Sequence, residues 1–147
     1  MNKLFKLSTL IFCILILTAC GSDDDSKSEK ESNITVTIDG QQYIFNTIQV
    51  SVYENDLFIS REFWARIDNK PNRVISFSMT DYPDSIEHRF IYSQDGKHYT
   101  RGMQGTYLNS HFTTNSATEL VGTFSGKLYD LDRDSISLEN GTIHIIY

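Results

Sequence analysis

Three aspartates in one short stretch have a spacing that suits metal chemistry. Asp130, Asp132 and Asp134 occupy alternate positions, which is how calcium-binding loops begin. An EF-hand also requires glycine at its sixth position and glutamate at its twelfth, where this sequence has Ser135 and Gly141. The stretch is therefore an incomplete calcium motif. The alternative is an acidic turn whose carboxylates are solvated and repel one another.

The histidines do not form a metal-ligand pattern. There are four of them: His88, His98, His111 and His144. A two-residue turn at Asp95-Gly96 would place His98 opposite Ser93 and on the other face from His88, so these two cannot share a metal. Motifs of serine, cysteine or zinc hydrolases and phosphate-binding loops are also missing from the sequence. We therefore predict no catalytic residues and no cofactor.

Trp64, the single tryptophan, is the main candidate for contact with a ligand. In the segment Phe63–Asp68, alternation places Trp64 outward together with Arg66. An exposed tryptophan beside an arginine can stack on a sugar ring or anchor a protein partner. The alternative is that Trp64 packs in a second sheet or beneath a long loop over residues 102–118.

Cys20 has the most specific chemistry. Two lysines precede the apolar run Leu7–Leu17, and a leucine and two small residues come directly before Cys20. A cationic start, an apolar core and a small-residue cleavage site define a secretory signal. The sequence around Cys20 resembles the site at which bacterial lipoproteins receive diacylglycerol on the thiol before cleavage. We predict a signal peptide over residues 1–19 and a lipid anchor at Cys20.

Residues 20–32 are predicted to form a disordered tether, because they contain no apolar side chain after Cys20. A short segment at its start resembles the acidic export tag of Bacteroidota surface lipoproteins: Ser22, Asp23, Asp24 and Asp25. That resemblance implies transfer to the outer face of the outer membrane. The alternative is an acidic linker that is merely solvated.

Two serines lie in a pattern that matches the O-glycan acceptor of exported Bacteroidota proteins. Ser85 and Ser135 each follow an aspartate and precede an isoleucine. Both lie where a loop meets a predicted strand, a position that a glycosyltransferase can reach.

Charge excludes one class of partner. Removing residues 1–19 takes away two of the 13 cationic residues and none of the 19 acidic ones, which leaves a net charge of −8. Nucleic acids and anionic lipid surfaces require a basic face. The predicted partners are therefore the membrane that holds the Cys20 lipid and a glycan or protein at the cell surface.

From Asn33 onward, hydrophobic residues recur with period two, and no long window has helical period. A two-residue turn at Asp39-Gly40 would set Ile38 opposite Gln41 and place the apolar residues on one face. Turn residues separate the further predicted strands: Ile48–Tyr53, Leu57–Ser60, Phe63–Asp68, Val74–Met79, Ile86–Ser93, Lys97–Arg101, Leu120–Tyr129, Ser135–Glu139 and Thr142–Tyr147. We predict one all-β domain over residues 33–147, an antiparallel β-sandwich or, alternatively, a small β-barrel.

The C-terminal stretch is the most distinctive part of this domain. Gly122 and Gly126 share a strand face with Phe124, and such glycines let a neighbouring ring or backbone come close. Asn140-Gly141 is either a two-residue turn or a bulge within one long strand.

Gly122-Thr123-Phe124 and the segment Ile136–Ile143 resemble the closing "GTF … ITNGTF" element of small Bacteroidota lipoproteins of unknown function. Ile38-Asp39-Gly40 is similar to the opening "VDG" turn of that family. The resemblance implies a β-sandwich and surface lipidation, and it implies no established activity.

Three functional classes follow. The first is a surface binding module for a glycan or a protein, which an open aromatic groove would favour. The second is a structural or envelope-assembly lipoprotein, which an edge strand able to polymerise would favour. The third is a small hydrolase whose site is assembled from distant residues, which two convergent carboxylates in a pocket would favour.

Overall fold

The computed structural model describes residues 31–54, 56, 58–68, 70–80, 86, 89–101 and 108–147. Within these ranges the chain forms ten strands and no helix. The strands are β1 (Asn33–Ile38), β2 (Gln41–Phe45), β3 (Thr47–Glu54), β4 (Ile59–Ile67), β5 (Lys70–Thr80), β6 (Ile91–Gln94), β7 (Lys97–Thr100), β8 (Leu108–Asn115), β9 (Glu119–Tyr129) and β10 (Ser135–Ile146). The predicted all-β class is therefore confirmed.

All strand pairs are antiparallel, and the sheet order is β2-β1-β10-β9-β7-β6-β5-β4-β3, with β8 also paired to β9. The two ends of this order are consecutive in the chain and are joined by Asn46. The backbone N–H of Asn46 donates to the carbonyl of Arg66 on β4 over 3.0 Å. At Asn46 the chain therefore leaves its pairing with β1 and begins its pairing with β4. The sheet curls into a nearly closed barrel.

The corner at Asn46 is fixed by a side-chain pair. Asn46 Nδ2 donates to Asp68 Oδ2 over 2.8 Å, and the backbone N–H of Asp68 donates back to Asn46 Oδ1 over 3.4 Å. The hydroxyl of Thr47 also donates to Asp68. These bonds hold the strand end on β4 while the chain changes its partner.

The first hairpin has the predicted register. Ile38 lies opposite Gln41, and Ile34 lies opposite Phe45. Asp39 and Gly40 have φ values of 48° and 82°, the left-handed pair that a type I′ turn requires. Aspartate tolerates this conformation better than most residues do, and glycine adopts it without steric cost.

Of the two alternatives for Asn140-Gly141, the bulge is correct. β10 continues through this point as one strand of 12 residues between β1 and β9. Leu138 lies opposite Gly126 and Gly141 opposite Phe124, so β10 has one extra residue there. The bulge is made at Asn140, whose backbone has a positive φ of 51°.

The predicted loop over residues 102–118 is wrong in part, because residues 108–115 form β8. This strand has only two large apolar side chains, Leu108 and Phe112, and a bulge lies between Phe112 and Thr114. The sequence therefore lacks the unbroken alternation that signals a strand. β8 is held by its pairing with β9, where the ring of Phe112 fills the space beside Gly122.

Three other predicted strands also differ in extent. The described parts of the predicted strands Leu57–Ser60 and Phe63–Asp68 are joined in the single strand β4, which runs from Ile59 to Ile67. The predicted strand Ile86–Ser93 is shorter, since β6 begins at Ile91. Ile86 and Phe90 are buried without belonging to a strand, because their side chains enter the core from a turn. Apolar content alone does not distinguish a buried residue in a strand from a buried residue in a turn.

The barrel interior is filled by the inward-facing side chains of the strands. Five side chains of β9 and β10 lie in this core and are each at most 3% exposed: Leu120, Phe124, Leu138, Ile143 and Ile145. A row of phenylalanines crosses the interior from β4 to β9, with ring centroids 4.8 Å apart for Phe63 and Phe77, 6.0 Å for Phe77 and Phe90, and 5.2 Å for Phe90 and Phe124. This row connects β5 with β9, two strands that do not pair in the described part of the chain.

Candidate functional site

A groove of about 490 Å³ lies on the outer face of the barrel, over β4, β5 and the start of β6. Its polar and aromatic lining comes from outward side chains: Glu62, Trp64, Ser76, Ser78, Arg89 and Arg101. Such a set offers a flat apolar surface, hydroxyl groups and charged hydrogen-bond donors in one concave site. We call it the Trp64 groove.

Strand alternation places Trp64 in this groove. Its neighbours Phe63 and Ala65 are buried in the core, so the indole of Trp64 projects to the outside. In the register, Trp64 lies between Gln49 of β3 and Ser76 of β5. The side chain is partly buried at the surface and does not belong to the hydrophobic core.

Arg66 lies on the same outer face as Trp64, two residues along β4, and is exposed. It does not line the groove. The sequence suggested Arg66 as the cationic partner of Trp64, but the structure groups Trp64 with two other arginines.

The arginines that line the groove are Arg89 and Arg101. Arg89 Nη1 donates to Ser78 Oγ over 3.4 Å, which links the turn before β6 to β5. Sequence reasoning missed both residues because they lie at strand ends, where alternation no longer fixes the direction of a side chain. One sequence signal for Arg89 was available. It directly precedes the apolar residue Phe90, whose side chain enters the core, so the side chain of Arg89 is directed to the surface.

A second groove of about 490 Å³ lies over β8, β9 and β10. Its lining is neutral and polar and includes Asn109, His111, Thr123, Ser125 and Thr142. Tryptophan and arginine do not occur among its described lining residues. It therefore lacks both the aromatic surface and the charge of the Trp64 groove.

The three aspartates of the incomplete calcium motif form a turn that a lysine closes. Asp130 Oδ1 accepts hydrogen bonds from the backbone N–H groups of Asp132 and Asp134, over 3.0 and 2.8 Å. Lys97 Nζ lies 3.0 Å from Asp134 and 3.4 Å from Asp130. The hydrogen bonds to Asp134 and Asp130 raise the pKa of Lys97 above its ordinary value. A lysine ammonium therefore occupies the position that a cation would take.

Within the described ranges, no three histidine, cysteine, aspartate or glutamate side chains are grouped so that they could hold a metal ion. His98 lies opposite Ser93, as predicted, and its Nδ1 is 2.8 Å from Ser93 Oγ. His144 Nε2 lies 3.3 Å from Glu119 Oε1. His111 is exposed on β8, and His88 lies outside the described residues.

Ser135, one of the two predicted O-glycan acceptors, is exposed at the first position of β10. Ser85 lies outside the described residues, as do Cys20 and the acidic tag. The acceptor pattern at Ser135 includes the exposed side chain of Asp134 and the buried side chain of Ile136. Only the serine and the aspartate are therefore accessible at the surface.

The buried tyrosine Tyr92, which does not line the Trp64 groove, has a raised pKa. Tyr92 is buried, and this burial raises the pKa of its hydroxyl to about 12. The hydroxyl donates to Gln94 Oε1 over 2.8 Å. The guanidinium of Arg73 lies 4.5 Å from the centre of the Tyr43 ring, a cation–π contact. Neither groove includes these residues.

Taken together, the fold and the site define an all-β, barrel-shaped domain with an aromatic and cationic groove on its outer face. In the described part of the chain, no helix is long and apolar enough to span a membrane. Comparison with protein-family models, with curated proteins and with solved structures gave no match.

Proposed function

We propose that this chain is a lipid-anchored surface protein of the outer membrane and that it binds a glycan in the Trp64 groove. Two sequence features support the location: the lipoprotein-type site at Cys20 and the acidic segment from Ser22 to Asp25. The resemblance to small Bacteroidota lipoproteins supports the same location. The observation that carries the binding role is the outward, partly exposed indole of Trp64 in a concave, hydroxyl-lined site.

The chemistry of sugars fits such a site. One face of a pyranose ring presents C–H groups that pack on an indole, and its edge presents hydroxyl groups that need hydrogen-bond partners. In the register, Trp64 lies directly opposite Ser76, and Glu62 lies opposite Ser78. The two serines are on the same face of β5, so stacking surface and polar partners are side by side.

A binding role fits this groove better than hydrolysis does. Most glycosidases use two carboxyl groups on either side of the scissile bond. Among the described residues that line the Trp64 groove, only Glu62 carries a carboxylate. One carboxylate can accept hydrogen bonds from sugar hydroxyls, which is a contact that recognition requires.

Binding to a panel of immobilised neutral and acidic polysaccharides tests the proposal. We expect the wild-type chain to bind at least one polysaccharide and Trp64→Ala to lose about tenfold in affinity or more, a change of about 1.4 kcal/mol. The matched control is Tyr53→Ala, which removes an aromatic side chain that is 59% exposed and does not line the groove. Equal loss in both variants, or no binding by the wild type, would refute glycan recognition at Trp64.

A structural role in the envelope is a second candidate, and the edge strand β3 favours it. Edge strands avoid pairing with other chains by means of charged residues and proline, and the segment Thr47–Tyr53 contains neither. Val52 and Tyr53 are 55% and 59% exposed. If β3 pairs with another copy, sedimentation should show assembly that rises with concentration and that Val52→Lys abolishes. A monomer at all concentrations would refute self-assembly.

A further inference from the structure

The Trp64 groove also indicates which kind of glycan it accepts, an inference that rests on the glycan-binding role proposed above. We propose that the ligand is an acidic polysaccharide and that Arg89 binds its carboxylate or sulfate group. The argument uses the charge of the groove, the way Arg89 is held and the order of the side chains around it.

The groove reverses the charge of the chain that surrounds it. The whole sequence has 19 acidic and 13 cationic residues, a net charge of −6. Among the described lining residues of the groove, Glu62 is the only acidic residue, whereas Arg89 and Arg101 are both cationic. An acidic surface repels anions, whereas the local excess of positive charge among the described lining residues of the groove attracts them.

Arg89 is exposed, but its backbone is fixed. Its N–H donates to the carbonyl of Ile86 over 3.3 Å, which closes a turn. Ile86 is 1% exposed and Phe90 is 2% exposed, so buried side chains anchor the chain at Ile86 and directly after Arg89. The backbone of Arg89 thus has a defined position at the groove, which limits the backbone entropy lost when a ligand binds its guanidinium.

The guanidinium retains donors for a ligand. Arg89 donates to Ser78 Oγ over 3.4 Å, a long hydrogen bond, and an arginine has five N–H donors in all. Among the described residues no carboxylate forms an ion pair with Arg89. A carboxylate or sulfate presents paired oxygens that match the fork of a guanidinium, and the resulting charge-assisted bonds are the stronger kind.

The side chains follow an order that suits one acidic sugar residue. Trp64 lies opposite Ser76, the next outward residue of β5 is Ser78, and Ser78 contacts Arg89. The ring of a sugar would stack on the indole, its hydroxyls would meet the serines, and its acidic group would reach the guanidinium. A neutral sugar would leave the cationic end of this series without a partner.

Binding measured with the full chain purified in detergent tests this inference. The probes are polygalacturonate, dextran sulfate, neutral dextran and poly-glutamate. We expect one or both acidic polysaccharides to bind about tenfold more tightly than dextran, and salt to weaken that binding. Polygalacturonate presents carboxylates and dextran sulfate presents sulfates, so the preferred probe identifies the group that Arg89 binds.

Variants of Arg89 isolate its contribution. Arg89→Gln should lower the affinity for the acidic polysaccharide about tenfold and leave any affinity for dextran unchanged, whereas Arg89→Lys, which keeps the charge without the fork, should lose less. The matched control, Lys70→Gln, removes one exposed positive charge from the far end of β5 and should bind as the wild type does. Circular dichroism checks that each variant is folded.

The outcomes separate this inference from the proposed function. If dextran binds as tightly as the acidic polysaccharides and Arg89→Gln changes nothing, the acidic specificity is refuted while glycan binding stands. If poly-glutamate binds as tightly as polygalacturonate, the groove attracts anions without reading a sugar, and the inference is refuted. If the wild type binds none of the polysaccharides, both proposals are refuted.

Discussion

Phe90 packs against Phe124 with their ring centroids 5.2 Å apart, although Phe90 belongs to no strand and Phe124 lies in the middle of β9. Phe90 also stacks on Phe77 of β5. β5 and β9 do not pair in the described part of the chain, so these rings connect the two sides of the barrel. The same contact positions Arg89, the residue that precedes Phe90, at the rim of the Trp64 groove.

Removing the Phe124 ring should destabilise the domain strongly. We expect Phe124→Ala to lower the free energy of unfolding by about 3–5 kcal/mol, because the cavity removes contacts with Phe90 and with the bulge of β10. That loss is a large part of a typical stability of about 5–15 kcal/mol. Urea unfolding of the Cys20→Ser chain measures it. Ser125→Ala, an exposed neighbour on β9, is the control and should change stability little. A Phe124→Ala midpoint equal to that of the parent chain would contradict the packing described here.

A methyl group at Gly141 should be poorly tolerated. A Cβ atom there would lie 2.6 Å from the carbonyl oxygen of Phe124 and 2.7 Å from its ring. Because that backbone is part of the central ladder, the strand must shift, and we expect Gly141→Ala to cost about 1–3 kcal/mol. Unfolding curves compare it with Thr142→Ala, whose exposed side chain should matter little. If both variants unfold alike, the close approach of Phe124 is wrong.

Alkaline pH should destabilise the fold through Tyr92. Burial raises the pKa of its hydroxyl from 10.0 to about 12 in the folded chain. The unfolded chain then releases this proton at a lower pH than the folded chain does. This contribution to stability is therefore complete below pH 10 and is lost as the pH rises from 10 to about 12. Urea unfolding across this range, with tyrosinate absorbance as a second readout, should show the decline. In Tyr92→Phe the decline should be smaller, and an identical slope in both chains would assign it to other groups.

Lipid attachment should depend on Cys20 alone. The thioether needs a thiol, and the only other cysteine, Cys13, precedes the predicted cleavage site. Metabolic labelling with an alkyne palmitate should therefore mark the wild type and Cys13→Ala, but not Cys20→Ala. Equal labelling of Cys20→Ala would show that Cys20 is not the lipidated residue.

Surface exposure should depend on the acidic segment after Cys20. Replacing Asp23, Asp24 and Asp25 with alanine removes the charge of the proposed export tag and leaves Cys20 in place. We expect this chain to remain lipidated and to become resistant to protease added to intact cells. The control variant replaces Glu29, Glu31 and Lys30 instead and should stay accessible. Unchanged accessibility in the aspartate variant would make the segment a plain linker.

The sequence was sufficient where the physical cause is local. Alternation of Ile34, Val36 and Ile38, followed by Asp39-Gly40, determines both the buried face and the register of the first hairpin. The turn type follows from two residues that accept a positive φ, and the strand face follows from burial of one side only. The same alternation along β9 and β10 puts Phe124 and Ile143 in the core.

The tertiary structure decided what depends on contacts between distant residues. β8 forms because its backbone hydrogen-bonds to β9 and because Gly122 leaves room for the ring of Phe112. Neither cause can be read from residues 108–115 alone. Lys97 reaches the aspartates of the calcium-like motif because β7 pairs with the end of β9, directly before those aspartates. Arg89 meets Trp64 in one groove because Phe90 is buried between β5 and β9. Local propensity fixes strands and turns, whereas long-range packing selects which side chains meet at a site.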